Sequence, residues 1–247
     1  MDCGGHIIVR VKGEFRIGNY CRLGGNTEII GNNVIFREHL YLSSGLRAEG
    51  GGRQHPEANL KIGDRCTIHN NFINVCEPVD IGDDVGLSPE TAILTHGYGL
   101  PVLEGYPACF EGVKIGKGVI VGFRSLILMD VEIVDFCVIG ANSVVTKSVI
   151  KKGVYAGSPA KFIKDIQPLP LDMKIKKIHD IIEKYRSIAK YHGIAPQIRI
   201  EYPYIMLKEF RLNVEDFRYE GPEDAETDDL RDYMRKWGIR IYHPATF

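Results

Sequence analysis

The amino-acid sequence predicts a mainly β fold: a parallel β-helix of hexapeptide repeats followed by a C-terminal α+β appendage. Two observations support this prediction. Aliphatic β-branched residues recur at intervals of six, at Ile115, Val121, Ile127, Ile133, Ile139 and Val145. The fourth residue after each is small or β-branched: Val119, Ser125, Val131, Cys137, Ser143 and Val149. A period of six suits neither an α-helix nor an alternating strand, and is typical of a β-helix in which each hexad forms one strand and turn.

The same period continues towards the N-terminus with interruptions. Further positions expected to fill the core are Val11, Ile17, Leu23, Ile29, Ile35, Ile62, Ile68, Asn74, Ile81, Leu87 and Ile93. Asn74 is the atypical member, because it is polar. Gly, Asn and Asp recur where corners are expected, since these residues tolerate the positive φ of tight turns.

The composition excludes several classes of function. The net charge of −1 over 247 residues shows no excess of basic residues of the kind that binds nucleic acid. No apolar stretch reaches the length of a membrane span, and the first residues do not open a secretory signal. Three cysteines, Cys21, Cys66 and Cys137, occupy the compact fourth position of a hexad, which predicts reduced core residues and a cytoplasmic protein. The other three cysteines show no metal-ligand spacing.

Two breaks in the repeat are the places where we expect chemistry. Between Ile93 and Ile115 there are 22 residues where a hexad needs six. A second excursion is predicted from Phe36 to Lys61, and it contains the run Gly50-Gly51-Gly52. Loops on a rigid repeat are frequent carriers of function.

Three segments carry a resemblance to a known family. They are Ala92-Ile-Leu-Thr-His-Gly97, Val138-Ile-Gly-Ala-Asn-Ser-Val-Val-Thr-Lys147 and Gly153-Val-Tyr-Ala-Gly-Ser-Pro-Ala-Lys161. In them the chain resembles the hexapeptide-repeat acyltransferases, and specifically the sugar O-acetyltransferase and xenobiotic acetyltransferase branch. The resemblance implies a left-handed coil in a domain spanning residues 1–166. It also implies acetyl-CoA as a substrate, no metal requirement, and a homotrimer with active sites between neighbouring prisms.

His96 is the predicted catalytic residue. A sugar hydroxyl is a weak nucleophile at neutral pH, and an imidazole can take its proton and return it to the departing thiolate. Glu90, Glu104 and Glu111 are each a candidate to orient the ring, and the sequence does not choose among them. No cysteine lies in a nucleophile context, so direct transfer is expected rather than a covalent acyl-enzyme.

Four residues are predicted to bind the acceptor: Asn70, Asn71, Tyr98 and Glu104. The two asparagines precede the His96 loop, where the resemblance implies residues that hold the acceptor hydroxyl. His69, beside them, is expected to be a hydrogen-bonded histidine of the coil.

The coenzyme A site is predicted on the C-terminal coils. Small residues let the pantetheine arm approach the backbone, and cations bind the phosphates of the nucleotide. The predicted residues are Gly122, Phe123, Gly140, Ala141, Thr146, Lys147, Pro159 and Lys161.

Residues 167–247 form a predicted α+β appendage that begins after Pro168 and Pro170. The patterns predict a helix over 171–192, strands over 197–202 and 205–212, a helix over about 230–237 and a strand over 239–242. Neutral charge and the absence of Cys/His clusters favour a role in packing against the trimer or a partner.

The sequence therefore predicts an acetyl-CoA-dependent O-acetyltransferase acting on a sugar or a polysaccharide precursor. N-acetylation of an amino-sugar nucleotide is the alternative within the family, because the same base serves either nucleophile. Two alternatives from other classes are a non-catalytic trimerisation scaffold and a metal enzyme of the carbonic-anhydrase type. The metal enzyme needs three converging histidines, and the candidates His39, His55, His69 and His96 include no close pair in one loop.

Overall fold

The computed structural model describes residues 2–3, 5–50 and 55–241. The chain forms two compact units, residues 1–166 and residues 167–247. Each unit has its own hydrophobic core.

The strands of the first unit are short and follow one another closely. In its first half they are β1 (Asp2–Cys3), β2 (Ile7–Val11), β3 (Phe15–Ile17), β4 (Arg22–Leu23), β5 (Thr27–Gly31), β6 (Val34–Phe36), β7 (Tyr41–Leu42), β8 (Arg47–Glu49), β9 (Leu60–Ile62), β10 (Thr67–Ile68), β11 (Phe72–Asn74) and β12 (Val79–Ile81). In its second half they are β13 (Gly86–Leu87), β14 (Ala92–Ile93), β15 (His96–Gly97), β16 (Cys109–Phe110), β17 (Val113–Ile115), β18 (Ile120–Val121), β19 (Leu126–Ile127), β20 (Val131–Ile133), β21 (Val138–Ile139), β22 (Val144–Val145), β23 (Val154–Ala156) and β24 (Lys161–Lys164).

These strands build three sheets that are the faces of a triangular coil. Sheet A has the order β1-β4-β7-β10-β13-β18-β21-β23-β24, sheet B has β2-β5-β8-β11-β14-β19-β22, and sheet C has β3-β6-β9-β12-β17-β20. The chain visits A, B and C in turn, so each strand pairs with the strand one coil later. The pairing is parallel throughout, except that β24 folds back antiparallel on β23. The predicted parallel β-helix is confirmed.

The core of the coil is a stack of the predicted aliphatic residues. All six of the predicted core residues from Ile115 to Val145 are buried, and so are the small residues four positions after them.

Two of the core positions predicted nearer the N-terminus were wrong by one residue. Phe36, not Ile35, fills the core, because Phe36 pairs in register with Ile17 and Ile62. Ile73, not Asn74, fills the core position predicted for Asn74, because Ile73 pairs with Ile93.

The buried cysteines also support the corners of the coil. Cys21, Cys66 and Cys137 are buried, as predicted. Two of the thiols donate to corner carbonyls, at 3.0 Å from Cys21 Sγ to the Arg37 oxygen and 3.1 Å from Cys66 Sγ to the Gly82 oxygen. Burial raises the pKa of the Cys21 and Cys137 thiols, which keeps them in the neutral form.

Both excursions leave the coil at one corner, where sheet B turns into sheet C. The first follows β8 and is shorter than predicted, because residues 37–49 remain in the coil and form β7 and β8. Gly51 and Gly52 of the predicted glycine run lie outside the described residues. The second follows β14 and returns at β17, as expected from the spacing of the hexads.

The second unit is an antiparallel sheet with two helices. It consists of α1 (Leu171–Tyr191), β25 (Ile198–Glu201), β26 (Tyr204–Leu207), β27 (Phe210–Asn213), β28 (Arg218–Glu220) and α2 (Ala225–Arg235). One face of the sheet joins both helices in a shared core that includes Tyr185, Phe210 and Met234.

Three details of the second unit differ from the prediction. The segment 205–212 is two strands, because Lys208 adopts a left-handed φ of 56° and reverses the chain. The helix predicted over about 230–237 begins earlier, at Ala225, where Asp224 caps it by accepting from the Glu226 and Thr227 backbone amides. Residues 239–241 form no strand, and Tyr242 lies outside the described residues.

The helices of the described residues do not have the character of membrane spans. Neither combines enough length with enough apolar residues to cross a bilayer.

The stacked core predicts a stability difference between two isoleucines. Ile127→Ala should lower the free energy of unfolding by about 2–5 kcal/mol, because Ile127 is fully buried and its removal leaves a cavity. Ile150→Ala is the control, since Ile150 is 84% exposed and should change stability by less than about 0.5 kcal/mol. Urea unfolding followed by circular dichroism measures both, and equal losses would contradict the stacked core.

Candidate active site

The second excursion is an antiparallel hairpin that holds His96 at its base. β15 pairs with β16 so that His96 lies opposite Phe110 and Gly97 opposite Cys109. In the loop between β15 and β16, the chain passes through a short 3₁₀ helix at Val102–Glu104. The pairing fixes the backbone of His96, while the tip of the loop extends away from the coil.

A buried asparagine orients the His96 ring. Nδ1 of His96 lies 2.8 Å from Oδ1 of Asn74. An amide oxygen accepts and cannot donate, so Nδ1 carries the hydrogen and the lone pair of the neutral ring is on Nε2. Among the described residues, Nε2 has no hydrogen-bond partner. The ring is therefore held in the tautomer that a general base requires.

The neighbours of Asn74 fix the orientation of its amide. Oδ1 lies 2.6 Å from Oγ1 of Thr95 and 3.4 Å from the backbone nitrogens of Thr95 and Cys76. Backbone N–H groups only donate, so the atom that faces them is the oxygen. Asn74 is only 3% exposed, and Thr95 is completely buried.

The irregular hexad explains why an asparagine stands at this point. Ile73 takes the core position, so the next side chain, Asn74, points away from the core towards the B-to-C corner. Gly50 covers it from the adjacent coil, where a β-carbon would lie 1.9 Å from Nδ2 of Asn74. Asn74 thus lies between the two excursions, with Gly50 on one side and Thr95 on the other.

The three carboxylates proposed to orient the ring do not contact it. Glu90 is paired with Arg124 at 2.5 Å. Glu104 lies in the 3₁₀ helix, and Glu111 contacts the site through its backbone nitrogen, 3.1 Å from the Thr95 oxygen. Among the described residues, no carboxylate lies within hydrogen-bond distance of the His96 ring. The ring is oriented by Asn74, which the sequence marked only as an irregular anchor.

Two aromatic side chains lie beside the imidazole. The His96 centroid is 5.7 Å from that of Phe110 and 5.3 Å from that of Tyr98, and the two aromatic rings are 5.5 Å apart. The planes of His96 and Phe110 differ by 13°, and those of Tyr98 and Phe110 by 18°. Phe110 was not singled out from the sequence, because its position opposite His96 depends on the hairpin.

The predicted acceptor residues fall in two places. Tyr98 lies beside His96, and Glu104 lies further along the same loop. Asn70 and Asn71 lie at the A-to-B corner, at the other edge of sheet B. The Asn71 amide is used within the fold, since it accepts from the His69 nitrogen at 2.7 Å and donates to the Ser88 oxygen at 2.7 Å.

His69 is a coil histidine with a hydroxyl neighbour. Its Nδ1 lies 3.3 Å from the Ser43 hydroxyl, and desolvation lowers the pKa of the ring. This placement agrees with the structural role expected for it.

The predicted coenzyme residues lie along both edges of the last strands of sheet B. At the A-to-B corner are Gly122, Phe123, Gly140 and Ala141, in adjacent coils, where the Gly122 nitrogen donates to the Ile139 oxygen. Residues 157–160, which include Pro159, border the same edge, since the Ala160 nitrogen donates to the Val144 oxygen. Lys161 follows at the start of β24.

Thr146 and Lys147 lie at the opposite edge, on the corner that carries His96. The register Ile93–Ile127–Val145 places Thr146 two coils below Leu94. At about 4.8 Å per coil, this is roughly 10 Å along the sheet. Lys147 and Lys161 are both exposed, and neither forms an ion pair with another described residue.

The candidate histidines do not form a metal centre in the described part of the chain. His39 lies at the C-to-A corner and His69 at the A-to-B corner, while His96 and His55 belong to the two excursions. Within residues 2–3, 5–50 and 55–241, no three His, Cys, Asp or Glu side chains are grouped as metal ligands.

Comparisons with known proteins agree with this architecture. No protein-family model matches the chain. The galactoside O-acetyltransferase of Escherichia coli (strain K12) is 31% identical over 142 residues, which cover 56% of this chain. The chain spans only 63% of the length of that relative.

Solved structures share the fold. The polySia-specific acetyltransferase NeuO superposes with a TM-score of 0.50 and 21% identity, over 74% of this chain and 85% of NeuO. A hexapeptide-repeat-containing acetyltransferase from Vibrio cholerae has a TM-score of 0.46 and 22% identity, over 53% of this chain and 73% of that chain. The resemblance to the hexapeptide-repeat acetyltransferases is confirmed. The fold shared with NeuO is the left-handed parallel β-helix.

The role of Asn74 in this acetyltransferase-like site is testable. Asn74→Ala should lower the free energy of unfolding by about 1–3 kcal/mol, because the His96 N–H loses its acceptor and the buried Thr95 hydroxyl keeps only the Asn74 backbone oxygen at 3.2 Å. Histidine ¹⁵N NMR should then show both tautomers of the His96 ring. Asn19→Ala, at an exposed corner, is the control and should change neither quantity. A single unchanged tautomer in the Asn74 variant would contradict the assignment.

Proposed function

We propose that the chain is an acetyl-CoA-dependent O-acetyltransferase that acetylates a sugar hydroxyl, with the catalytic site in residues 1–166. The observation that carries the proposal is the His96 ring, whose Nδ1 is tied to Asn74 while Nε2 is unoccupied at the base of an exposed loop. The sequence similarity to a galactoside O-acetyltransferase supports the same activity.

The proposed reaction needs one base and no covalent intermediate on the protein. Nε2 of His96 takes the proton of the acceptor hydroxyl as its oxygen attacks the thioester carbonyl carbon. The tetrahedral intermediate collapses, the carbon–sulfur bond breaks, and the imidazolium returns the proton to the leaving thiolate. The products are an acetyl ester and coenzyme A. Asn74 stabilises the charged ring in this cycle, because its oxygen continues to accept the Nδ1 hydrogen.

The placement of the predicted coenzyme residues fits a thioester delivered to His96. Thr146 and Lys147 share a corner with the His96 loop, and the exposed ammonium groups of Lys147 and Lys161 suit the phosphates of coenzyme A. Gly122, Gly140 and Ala141 present little side chain at the other edge of sheet B. A pantetheine arm there can approach backbone N–H and C=O groups.

For the acceptor, the loop residues have the stronger support. Tyr98 adjoins the His96 ring, and Glu104 extends from the same loop as a hydrogen-bond acceptor for hydroxyls. Asn70 and Asn71 remain predictions. They would meet the acceptor only if a second protomer brought the A-to-B corner close to a His96 loop.

A homotrimer is the assembly that we propose for the catalytic unit. The outward side chains of the last coils are apolar on sheet A (Ile120, Val138 and Val154) and on sheet B (Phe72, Ala92, Leu126 and Val144). Sheet C instead presents Lys61, Asp80, Lys114 and Glu132. Contiguous apolar surface marks protein interfaces, so sheets A and B are the faces that neighbouring protomers would cover. A cytoplasmic location and the packing role of residues 167–247 remain predictions.

The role of His96 predicts a loss of turnover. His96→Ala should lower kcat by about 10²- to 10⁴-fold, because the acceptor hydroxyl loses its base. Thiol release from acetyl-CoA, measured across a panel of sugars and amino-sugar nucleotides, gives the rate and separates O- from N-acetylation. His192→Ala, in the second unit, is the control and should retain wild-type turnover. Near wild-type turnover in His96→Ala would remove His96 as the base.

The trimer proposal predicts a change in assembly. Ile120→Glu should shift the sedimentation coefficient from trimer towards monomer, because it places a charge in the apolar stripe of sheet A. Ile150→Glu is the control, as Ile150 is far more exposed than Ile120. A wild-type chain that sediments as a monomer would contradict the homotrimer.

A further inference from the structure

The aromatic rings beside His96 form a continuous patch. The centroid distances are 5.3 Å between His96 and Tyr98, 5.5 Å between Tyr98 and Phe110, and 5.7 Å between His96 and Phe110. If the three rings were stacked in one column, the distance between the two outer rings would be about twice the other two distances. His96 and Tyr98 each stack against Phe110 with an offset, while the planes of His96 and Tyr98 differ by 31°. Tyr98 is 68% exposed and Phe110 is 45% exposed, so the patch is open to solvent.

Several exposed aromatic rings of the described chain have a cation over them, and the patch does not. Five exposed rings elsewhere carry a Lys or Arg within 5.7 Å of the centroid: Tyr41, Phe123, Phe136, Phe162 and Trp237. Among the described residues, no Lys or Arg lies over Tyr98 or Phe110. The solvent-exposed parts of these two rings are thus open to a neutral ligand.

The orientation of the base restricts what such a ligand can be. The Nε2 lone pair lies in the plane of the imidazole, and that plane is within 13° of the plane of Phe110. A flat ligand stacked on Phe110 therefore lies roughly parallel to the plane in which the base accepts its proton. A hydroxyl that projects from the ligand's edge points roughly parallel to that plane, whereas a hydroxyl perpendicular to the ligand points across it.

We infer that Tyr98 and Phe110 form a stacking platform for a pyranoside acceptor, and that the acetylated hydroxyl projects from the edge of the sugar ring. This inference rests on the proposed O-acetyltransferase function. One face of a pyranose carries axial C–H groups, which are weakly positive and apolar, and these match the negative faces of the two aromatic rings. Phe110 is thereby a specificity-determining residue that selects cyclic sugars over open-chain polyols.

The test compares two acceptors that share hydroxyl groups but differ in ring closure. Methyl pyranosides and the corresponding alditols are assayed by thiol release from acetyl-CoA, with Phe110→Leu and Phe110→Trp. In Phe110→Leu the ratio of kcat/KM for pyranoside over alditol should fall by about 3- to 10-fold, mainly through the KM for pyranoside. Phe110→Trp should restore the ratio, because it replaces one aromatic face with another.

Phe136→Leu is the matched control, since Phe136 is 47% exposed, similar to Phe110, but lies under Lys152. It should leave the ratio at the wild-type value. Equal losses for both acceptors in Phe110→Leu would overturn the inference, because Phe110 would then serve only to hold His96. An unchanged ratio would overturn it as well.

A failure of the proposed function gives a different result. If wild-type protein releases no thiol with any acceptor, the transferase proposal fails, and pyranoside binding is measured by saturation-transfer NMR. Transfer to the axial C–H protons that disappears in Phe110→Leu would keep the platform as a sugar-binding site. Absence of transfer in the wild type, or equal transfer in both proteins, would overturn the platform.

Discussion

Parallel pairing between successive coils is the constraint on which the rest of the first unit depends. Each strand must align with the strand one coil earlier, so every core position is fixed by its partners above and below. The column Ile81–Ile115–Ile133 of sheet C and the column Ile93–Ile127–Val145 of sheet B show how stacked aliphatic residues support a face of the coil. Because side chains alternate across a strand, the same pairing decides which residues face outward. The position of the His96 loop relative to the predicted coenzyme residues follows from this register.

The candidate site arises where that regularity is interrupted. A hexad shortened by one residue moves Ile73 into the core and turns Asn74 outward, beneath the two excursions. A buried amide requires partners, and it finds them in the Thr95 hydroxyl, two backbone N–H groups and the His96 ring. The fold thus converts a local irregularity in packing into the hydrogen bond that sets the histidine tautomer.

Sequence reasoning predicted the regular parts of the fold and the loop that carries His96, whose role as the base stays a prediction. The strict run from Ile115 to Val145 leaves one register possible, and the 22-residue gap identifies the loop that carries His96. A fixed period cannot detect a slip of one residue where both neighbours are suitable, as with Ile35 and Phe36. The partners of His96 were missed for a related reason. Asn74 and Phe110 reach the ring only through inter-coil register and hairpin pairing, neither of which is encoded by spacing to His96.

Both excursions leave the coil from one corner, and the strands beneath them continue without a break in pairing. Loop-closure entropy grows only slowly with length, so segments inserted at such a corner change the stability of the stack little. The His96 loop, which we propose contacts the acceptor, is therefore mutationally separable from the stacked coils. A scaffold with this separation can diversify its chemical repertoire by exchanging a single loop, while its aliphatic columns stay the same.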